Sequence, residues 1–142
     1  MMKNILIKSI LLGSLTLSLN ADFIRDNTKL VVNDTKTGLM WQDDVVGSTM
    51  DWNTAITTCE NLTLGGYSDW RLPNIRELKS IADRTRANPA ISPNFITFVS
   101  DIYWSSTIFN QLDKEWGMRY DGYHTVYYKT NNYYVRCVRG GI

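Results

Sequence analysis

The fold is decided by one stretch, Tyr67-Ser68-Asp69-Trp70-Arg71-Leu72-Pro73-Asn74-Ile75-Arg76-Glu77-Leu78. Pro73 disfavours helical geometry at the residue before it, and Asn74 followed three positions later by Glu77 has the form of a capping box. A helix is therefore predicted to begin at Ile75. Its apolar residues recur at three- and four-residue spacing, which predicts one buried face: Ile75, Leu78, Ile81 and Ala82.

A second helix is predicted upstream of this stretch. Asp51 is its expected N-cap, and Gly65-Gly66 are expected to end it with positive φ angles. Apolar residues recur on one face of this helix: Trp52, Ala55, Ile56, Cys59 and Leu62. Cys59 is therefore expected to point into the core.

Short strands are predicted on both sides of the helices. Before them, apolar segments separated by polar turns predict three strands: Phe23-Ile24, Leu30 to Val32 and Leu39 to Trp41. After them, a period-two pattern predicts an antiparallel sheet: Ile102 to Phe109, Glu115 to Tyr120, Thr125 to Lys129 and Tyr133 to Val138. The segment from Arg84 to Phe98 is predicted to be irregular. The fold class is therefore α+β, with two helices packed on a twisted antiparallel sheet.

The first residues differ in kind from the rest of the chain. Lys3 and Lys8 lie beside an apolar run from Ser9 to Leu19, and Ala21 offers a small residue for cleavage. This pattern predicts a signal peptide over residues 1–21, a retained membrane anchor being the alternative. The remaining residues, 22–142, suit one domain with a core, without a membrane span. We therefore expect an exported protein of the periplasm, the cell surface or the extracellular space.

Charge and cysteine content limit the partners. Without residues 1–21 the chain has 13 basic and 14 acidic side chains. Because proteins that bind nucleic acid usually show a basic excess, nucleic acid is not an expected partner. Cys59 and Cys137 are expected to form a disulfide in an oxidising compartment, worth about 4 kcal/mol by loop-closure entropy. A reactive thiol pair is the alternative.

Five sequence blocks together resemble the Lcl C-terminal domain family: Thr37 to Gln42, Trp52 to Cys59, Gly66 to Pro73, Tyr103 to Thr107 and Val135 to Arg139. The resemblance covers roughly Asn33 to Gly140. It implies a C-type lectin-like fold with a bond between a first-helix and a last-strand cysteine, in agreement with the pair above. The family includes the trimeric end domain of a bacterial collagen-like adhesin, which binds sulfated glycans through a positive surface. The resemblance therefore implies an adhesin-like binding module and leaves a homo-oligomer open, although this chain has no collagen-like tract.

Catalysis is not expected. His124 is the single histidine and has no evident triad partner, and the chain has no P-loop or dinucleotide fingerprint. A remote relationship to formylglycine-generating enzymes, which share the lectin-like fold and an Arg-Leu-Pro segment, is kept as an alternative. Acidic residues in predicted loops could hold Ca²⁺ but lack EF-hand spacing, so we expect them to be solvated and expect no cofactor: Asp43, Asp44, Asp101, Asp113 and Asp121.

The stretch from Trp116 to Tyr134 is rich in tyrosine and carries the candidate site. Tyrosine offers flat, rigid area with a hydrogen-bonding tip, which suits stacking on sugar rings or anchoring a protein. Alternation from Cys137 predicts that Tyr133 faces the core, and Trp116 and Met118 are expected to face inward as well. The remaining surface candidates are Arg119, Tyr123, His124, Tyr127, Lys129 and Tyr134.

Other aromatic and basic residues have structural interpretations. Trp41, Trp70 and Trp104 are expected in the core. Arg71 is expected to pair with Asp69, Glu77 or a backbone carbonyl. A basic cluster could contact an acidic glycan: Lys79, Arg84 and Arg86. The sequence thus predicts a non-catalytic module that binds a glycan or cell-surface polymer, or alternatively an envelope protein-interaction or assembly subunit.

Overall fold

A computed structural model describes residues 23–45, 47–86, 90–119 and 121–140. The described residues form two helices and seven strands: β1 (Phe23–Asp26), β2 (Val31–Asp34), β3 (Leu39–Gln42), α1 (Trp52–Glu60), α2 (Ile75–Ser80), β4 (Ile102–Ile108), β5 (Lys114–Arg119), β6 (His124–Tyr128) and β7 (Val138–Gly140). The predicted signal peptide and Tyr120 lie outside the described residues. Neither described helix is long and apolar enough to cross a membrane.

The strands form two antiparallel sheets, which confirms the α+β class. The first sheet has the order β1-β2-β3-β7, and the second has the order β4-β5-β6. The prediction of a single C-terminal sheet that ends in a strand from Tyr133 to Val138 is wrong. Tyr133 bridges to Met50 and Tyr134 bridges in parallel to Tyr103, whereas Val138 pairs with Trp41 in the first sheet. The segment from Tyr133 to Val138 therefore passes from one sheet to the other. Its apolar residues alternate with polar ones, but side chains on both of its sides are covered by the rest of the domain.

Both predicted helix starts are confirmed. The Asp51 side chain accepts from the Thr54 amide at 2.9 Å, and Asn74 and Glu77 form both bonds of a capping box. α1 ends earlier than predicted, at Glu60, and Asn61 is its C-cap. The positive φ angles of Gly65-Gly66 serve instead a tight turn, in which Leu64 and Tyr67 exchange two backbone hydrogen bonds.

The disulfide joins α1 to the segment that leads into β7. Cys59 and Cys137 are bonded, and both are buried. Within the described chain no cysteine is free, so the reactive thiol pair is not supported. The predicted core tryptophans are buried as well: Trp41, Trp70 and Trp104 are 0%, 2% and 0% exposed.

The described residues form a core of two apolar clusters. One joins Trp41 and Phe95 to α2 through Leu78 and Ile81, and the other joins α1 to Trp104 around the disulfide. Ile91 and Phe95 are buried in the irregular segment, and Phe98 packs against the first cluster. The crossing segment from Tyr133 to Val138 separates the clusters, since Val138 belongs to the first and Cys137 to the second.

Asp43 corrects the expectation that the loop acids are solvated. Its side chain is fully buried and makes ion pairs with Arg25 at 2.7 Å and Arg136 at 2.9 Å. It also accepts from Thr97 and from the Ile96 amide. Burial opposes ionisation, but these bonds and the charge of Arg136 outweigh it and lower the pKa of Asp43. Among the described residues no group of three or more His, Cys, Asp or Glu side chains is arranged to hold a metal ion.

Candidate functional site

The second sheet has two faces with different surroundings. Residues paired across β5 and β6 share a face, so Met118 and His124 lie on one side and Gly117 and Thr125 on the other. α2 covers the Met118 side, because Met118 packs in the same cluster as α2 residues. α2 has only six residues, a length of about 9 Å, so it cannot cover the whole face.

Beside α2 the uncovered part of this face carries three rings in a row, and a fourth ring, that of Tyr123, adjoins His124 at the turn between β5 and β6. The centroid of Phe109 lies 5.7 Å from that of Trp116, which lies 5.9 Å from that of His124, and His124 lies 6.4 Å from Tyr123. We call Phe109, Trp116, His124 and Tyr123 the aromatic row. These spacings are typical of aromatic pairs in direct contact.

The rings of the aromatic row remain accessible to solvent. Tyr123 is 58% exposed, and Phe109, Trp116 and His124 are half-buried. None of the four belongs to either core cluster. The aromatic row therefore offers apolar area that the core does not use.

Cationic side chains lie along the aromatic row. Lys79 Nζ is 3.4 Å from His124 Nε2, and the Arg119 guanidinium lies 5.4 Å from the Tyr123 ring centroid. Arg119 also pairs with Asp121, which fixes its position over Tyr123. The row thus has a polar and charged margin next to its apolar rings.

A shallow cleft lies at the Phe109 end of the row. It has a volume of about 290 Å³, close to the lower limit of about 300 Å³ for ligand pockets. Its lining combines apolar and polar side chains: Ile108, Phe109, Asn110, Gln111, Leu112, Glu115 and Lys129. The row and the cleft share the side chain of Phe109.

The structure brings three of the predicted surface candidates together and places the other three elsewhere. Arg119, Tyr123 and His124 meet at the row. Tyr127 lies over Gly117, on the face of the sheet opposite to His124, with its ring edge-on to Tyr133 at 5.0 Å and to Trp104 at 6.4 Å. Burial raises the pKa of the Tyr127 hydroxyl, which is consistent with this position at the margin of the core.

Tyr134 and Lys129 have structural contacts. The Tyr134 ring lies 5.8 Å from that of Tyr103 and packs against the first core cluster. Lys129 pairs with buried Glu115 at 3.0 Å and lies over the Trp52 ring at 4.8 Å. Both side chains are therefore engaged within the domain rather than displayed on the row.

The basic cluster predicted from sequence divides in the same way. Lys79 contacts His124 at the row, while Arg84 and Arg86 are exposed on the loop after α2. Arg71, treated as structural, pairs with Glu77 through two bonds of 2.7 and 2.8 Å. Burial opposes ionisation of Glu77, but Arg71 and the Asn74 amide outweigh it and lower the pKa of the Glu77 carboxyl.

Sequence reasoning missed two members of the row, Phe109 and Trp116. From the sequence, Trp116 is expected to face the core together with Met118, which lies two residues further along the same strand. Both do lie on the α2 side, but only Met118 is covered. The signal that identifies Trp116 is the short length of α2, which leaves the far end of β5 uncovered.

Comparison with known proteins gives one match. The family model of the Lcl C-terminal domain matches residues 30–139. No curated protein matches the chain. The match includes both helices, strands β2 to β6, most of β7 and the aromatic row, while β1 lies before it.

Proposed function

Because the chain belongs to the Lcl C-terminal domain family, we propose that it is an exported, non-catalytic module that recognises a glycan or cell-surface polymer through the aromatic row. Membership of this family favours the interpretation that the chain is an extracellular domain of a bacterial protein. The proposal includes the C-type lectin-like form of the α+β fold, which the two helices and the disulfide between α1 and the last segment support.

The observation that carries the proposal is the row of accessible rings with polar groups at its margin. Aromatic rings bind the apolar faces of sugar rings by burying area, while nearby donors fix the orientation of hydroxyl groups. Tyr123 and Trp116 supply the area, and Lys79 and Arg119 supply the donors. The cleft beside Phe109 adds a concave end to the row.

The absence of catalysis is part of the proposal. A histidine that activates a nucleophilic side chain needs that nucleophile and an orienting group within hydrogen-bond reach. The contact of His124 Nε2 is with the Lys79 ammonium, which can serve as neither. The proposal also needs no Ca²⁺, since the most buried of the loop acids, Asp43, is engaged by Arg25 and Arg136.

A glycan array probed with the disulfide-bonded chain at low and high salt tests the proposal. We expect binding that persists at high salt, because stacking is not screened by ions. Tyr123→Ala should remove this binding. Ile24→Ala is the matched control, since Ile24 is 56% exposed on β1 and Tyr123 is 58% exposed.

Two results would count against this function. If no glycan binds at either salt concentration, the row has another role. If binding is lost at high salt and survives Tyr123→Ala, an acidic polymer binds through charge, and Arg84→Ala with Arg86→Ala would then identify the loop after α2 as its contact.

A role as an envelope protein-interaction subunit is the second candidate, favoured by the hairpin between β4 and β5. Its apolar residues Ile108 and Leu112 are 73% and 98% exposed. A protein partner would bury them, so Leu112→Asp should abolish its capture from an envelope extract. Unchanged capture by the variant would exclude the hairpin as the contact.

A further inference from the structure

β6 forms an open edge of the second sheet. The order β4-β5-β6 pairs β6 on one side only. The Arg119 amide donates to the Tyr123 carbonyl and the Lys129 amide to the Asp113 carbonyl, so the odd-numbered residues of β6 bond to β5. The backbone groups of His124 and Val126 therefore point away from the sheet. Among the described residues, no backbone group outside the sheet bonds to them.

The edge lacks the features that usually protect an exposed strand. Such strands are commonly guarded by charged side chains, proline or a bulge. β6 reads His-Thr-Val-Tyr-Tyr, without proline and without Lys, Arg, Asp or Glu, and its register with β5 is continuous. β1, at the edge of the first sheet, contains Arg25 and Asp26. The composition of β6 thus favours pairing with a further strand.

We propose that β6 pairs antiparallel with β6 of a second copy of this chain, with Val126 facing Val126 across a twofold axis. In this register His124 opposes Tyr128 and Thr125 opposes Tyr127 of the other copy. These are aromatic and β-branched cross-strand pairs, and no like charges face each other. This self-complementarity around Val126 is the reason for a second copy rather than a foreign strand.

The backbone fits the same register. Val126 of each copy donates to Val126 of the other, and the Tyr128 amide donates to the His124 carbonyl of the other copy. The Tyr128 carbonyl already accepts from the Asn131 amide at 2.9 Å, so it has one lone pair left for a reciprocal bond. The result is one continuous sheet of six strands across the axis.

The pairing has a consequence for the aromatic rows. A twofold axis perpendicular to a shared sheet keeps equivalent faces on the same side. The rows of both copies would therefore lie on one face, each containing the His124 of its own edge strand. A dimer would present two copies of the aromatic row on the same face. Because both rows could bind one repeating ligand at the same time, the avidity for that ligand would rise. The pairing itself does not depend on what the row binds.

The test uses opposite charges at the axis. Size-exclusion chromatography with light scattering should give twice the chain mass for the wild type. Val126→Lys and Val126→Glu should each lose the dimer, because like charges would face each other, and an equimolar mixture of the two should regain it. A monomeric wild type at every concentration, or a dimer that neither variant disturbs, would overturn the proposal.

A cysteine variant keeps the test decisive if the charged variants fail to fold. Valine and cysteine are similar in size, and the Cα atoms of a hydrogen-bonded antiparallel pair lie about 5.5 Å apart, within the range of a disulfide. Val126→Cys should form a covalent dimer in air much faster than the control Ile24→Cys at the other edge. Equal rates for the two variants would contradict the pairing.

Discussion

The two sheets of the molecule use their polar and aromatic side chains differently. The first sheet closes over buried Val31 and Val32 and is held by Asp43, whose carboxylate is shared between Arg25 and Arg136. The second sheet has one face only partly covered by α2 and leaves Trp116 and Tyr123 in contact with solvent. In the first sheet the buried charged residues stabilise the fold. In the second sheet the exposed aromatic rings leave apolar area for contact with another molecule.

The difference suggests where substitutions will act on stability and where on binding. A charge buried with its partners is costly to disturb, because removal of one partner leaves the others unpaired in the interior. An exposed ring or ion pair contributes little to folding. We therefore expect the two sheets to respond in opposite ways to matched changes.

The largest effect is expected for Asp43→Ala. It leaves Arg25 and Arg136 without their carboxylate and should lower the free energy of unfolding by about 3–5 kcal/mol. Urea denaturation measures this loss. The matched control in the second sheet is Asp121→Ala, which removes the partly exposed partner of Arg119 and should cost no more than about 1 kcal/mol. Equal losses for the two variants would remove the distinction between the sheets.

The pH dependence of stability should report the same carboxylate. The folded-state pKa of Asp43 is lowered, so its contribution is complete above the ordinary value of 3.8 and is lost as the pH falls through the folded value. Denaturation of the wild type should therefore show that the free energy of unfolding decreases as the pH falls below 3.8. The decrease should be smaller in Asp43→Asn. Parallel profiles for the two proteins would show that Asp43 does not carry the linkage.

A smaller effect is expected within β6, where neighbouring tyrosines lie on opposite faces. Tyr127 packs against Trp104 and Tyr133, so Tyr127→Ala should cost about 2 kcal/mol of unfolding free energy. Tyr128 is 51% exposed and contacts Lys114 through its ring, so Tyr128→Ala should cost less than about 1 kcal/mol. The reverse order in thermal melting would mean that the two faces have been assigned incorrectly.

The smallest effect on stability is expected at the row itself. Tyr123→Ala removes a ring that is 58% exposed, so the free energy of unfolding should change by no more than about 0.5 kcal/mol. Chemical denaturation beside the wild type measures the change. A loss as large as that of Tyr127→Ala would place Tyr123 in the core and withdraw it from the binding surface.

Much of the fold could be predicted because its signals are local. The capping box at Asn74 and the N-cap at Asp51 act within one helical turn. The disulfide between Cys59 and Cys137 could be predicted because cysteines are expected to pair in an oxidising compartment. The path of the last segment was not predictable from alternation. Arg136 is buried and pairs with Asp43, which is distant in sequence. From the sequence alone, a charged residue at this position indicates a solvent-exposed face, so the burial of that face could not be predicted.

The site was predicted in part for the same reason. Tyr123, His124 and Arg119 lie around one turn and could be grouped by sequence. Tyr127 and Tyr134 have the same alternation as surface residues, but neighbouring rings from other elements cover them. Phe109 joins the row from the end of β4 through its contact with Trp116, a pairing that strand periodicity does not contain.

The most direct test of the division between the sheets is hydroxyl-radical footprinting, with and without an oligosaccharide that the array retains. Binding at the aromatic row predicts that oxidation of Trp116 and Tyr123 falls severalfold, while oxidation of half-buried Tyr67, which lies under Arg139 near the first sheet, stays constant. Protection of Tyr67 with no change at Trp116 and Tyr123 would place the ligand on the other half of the molecule and contradict the proposed function.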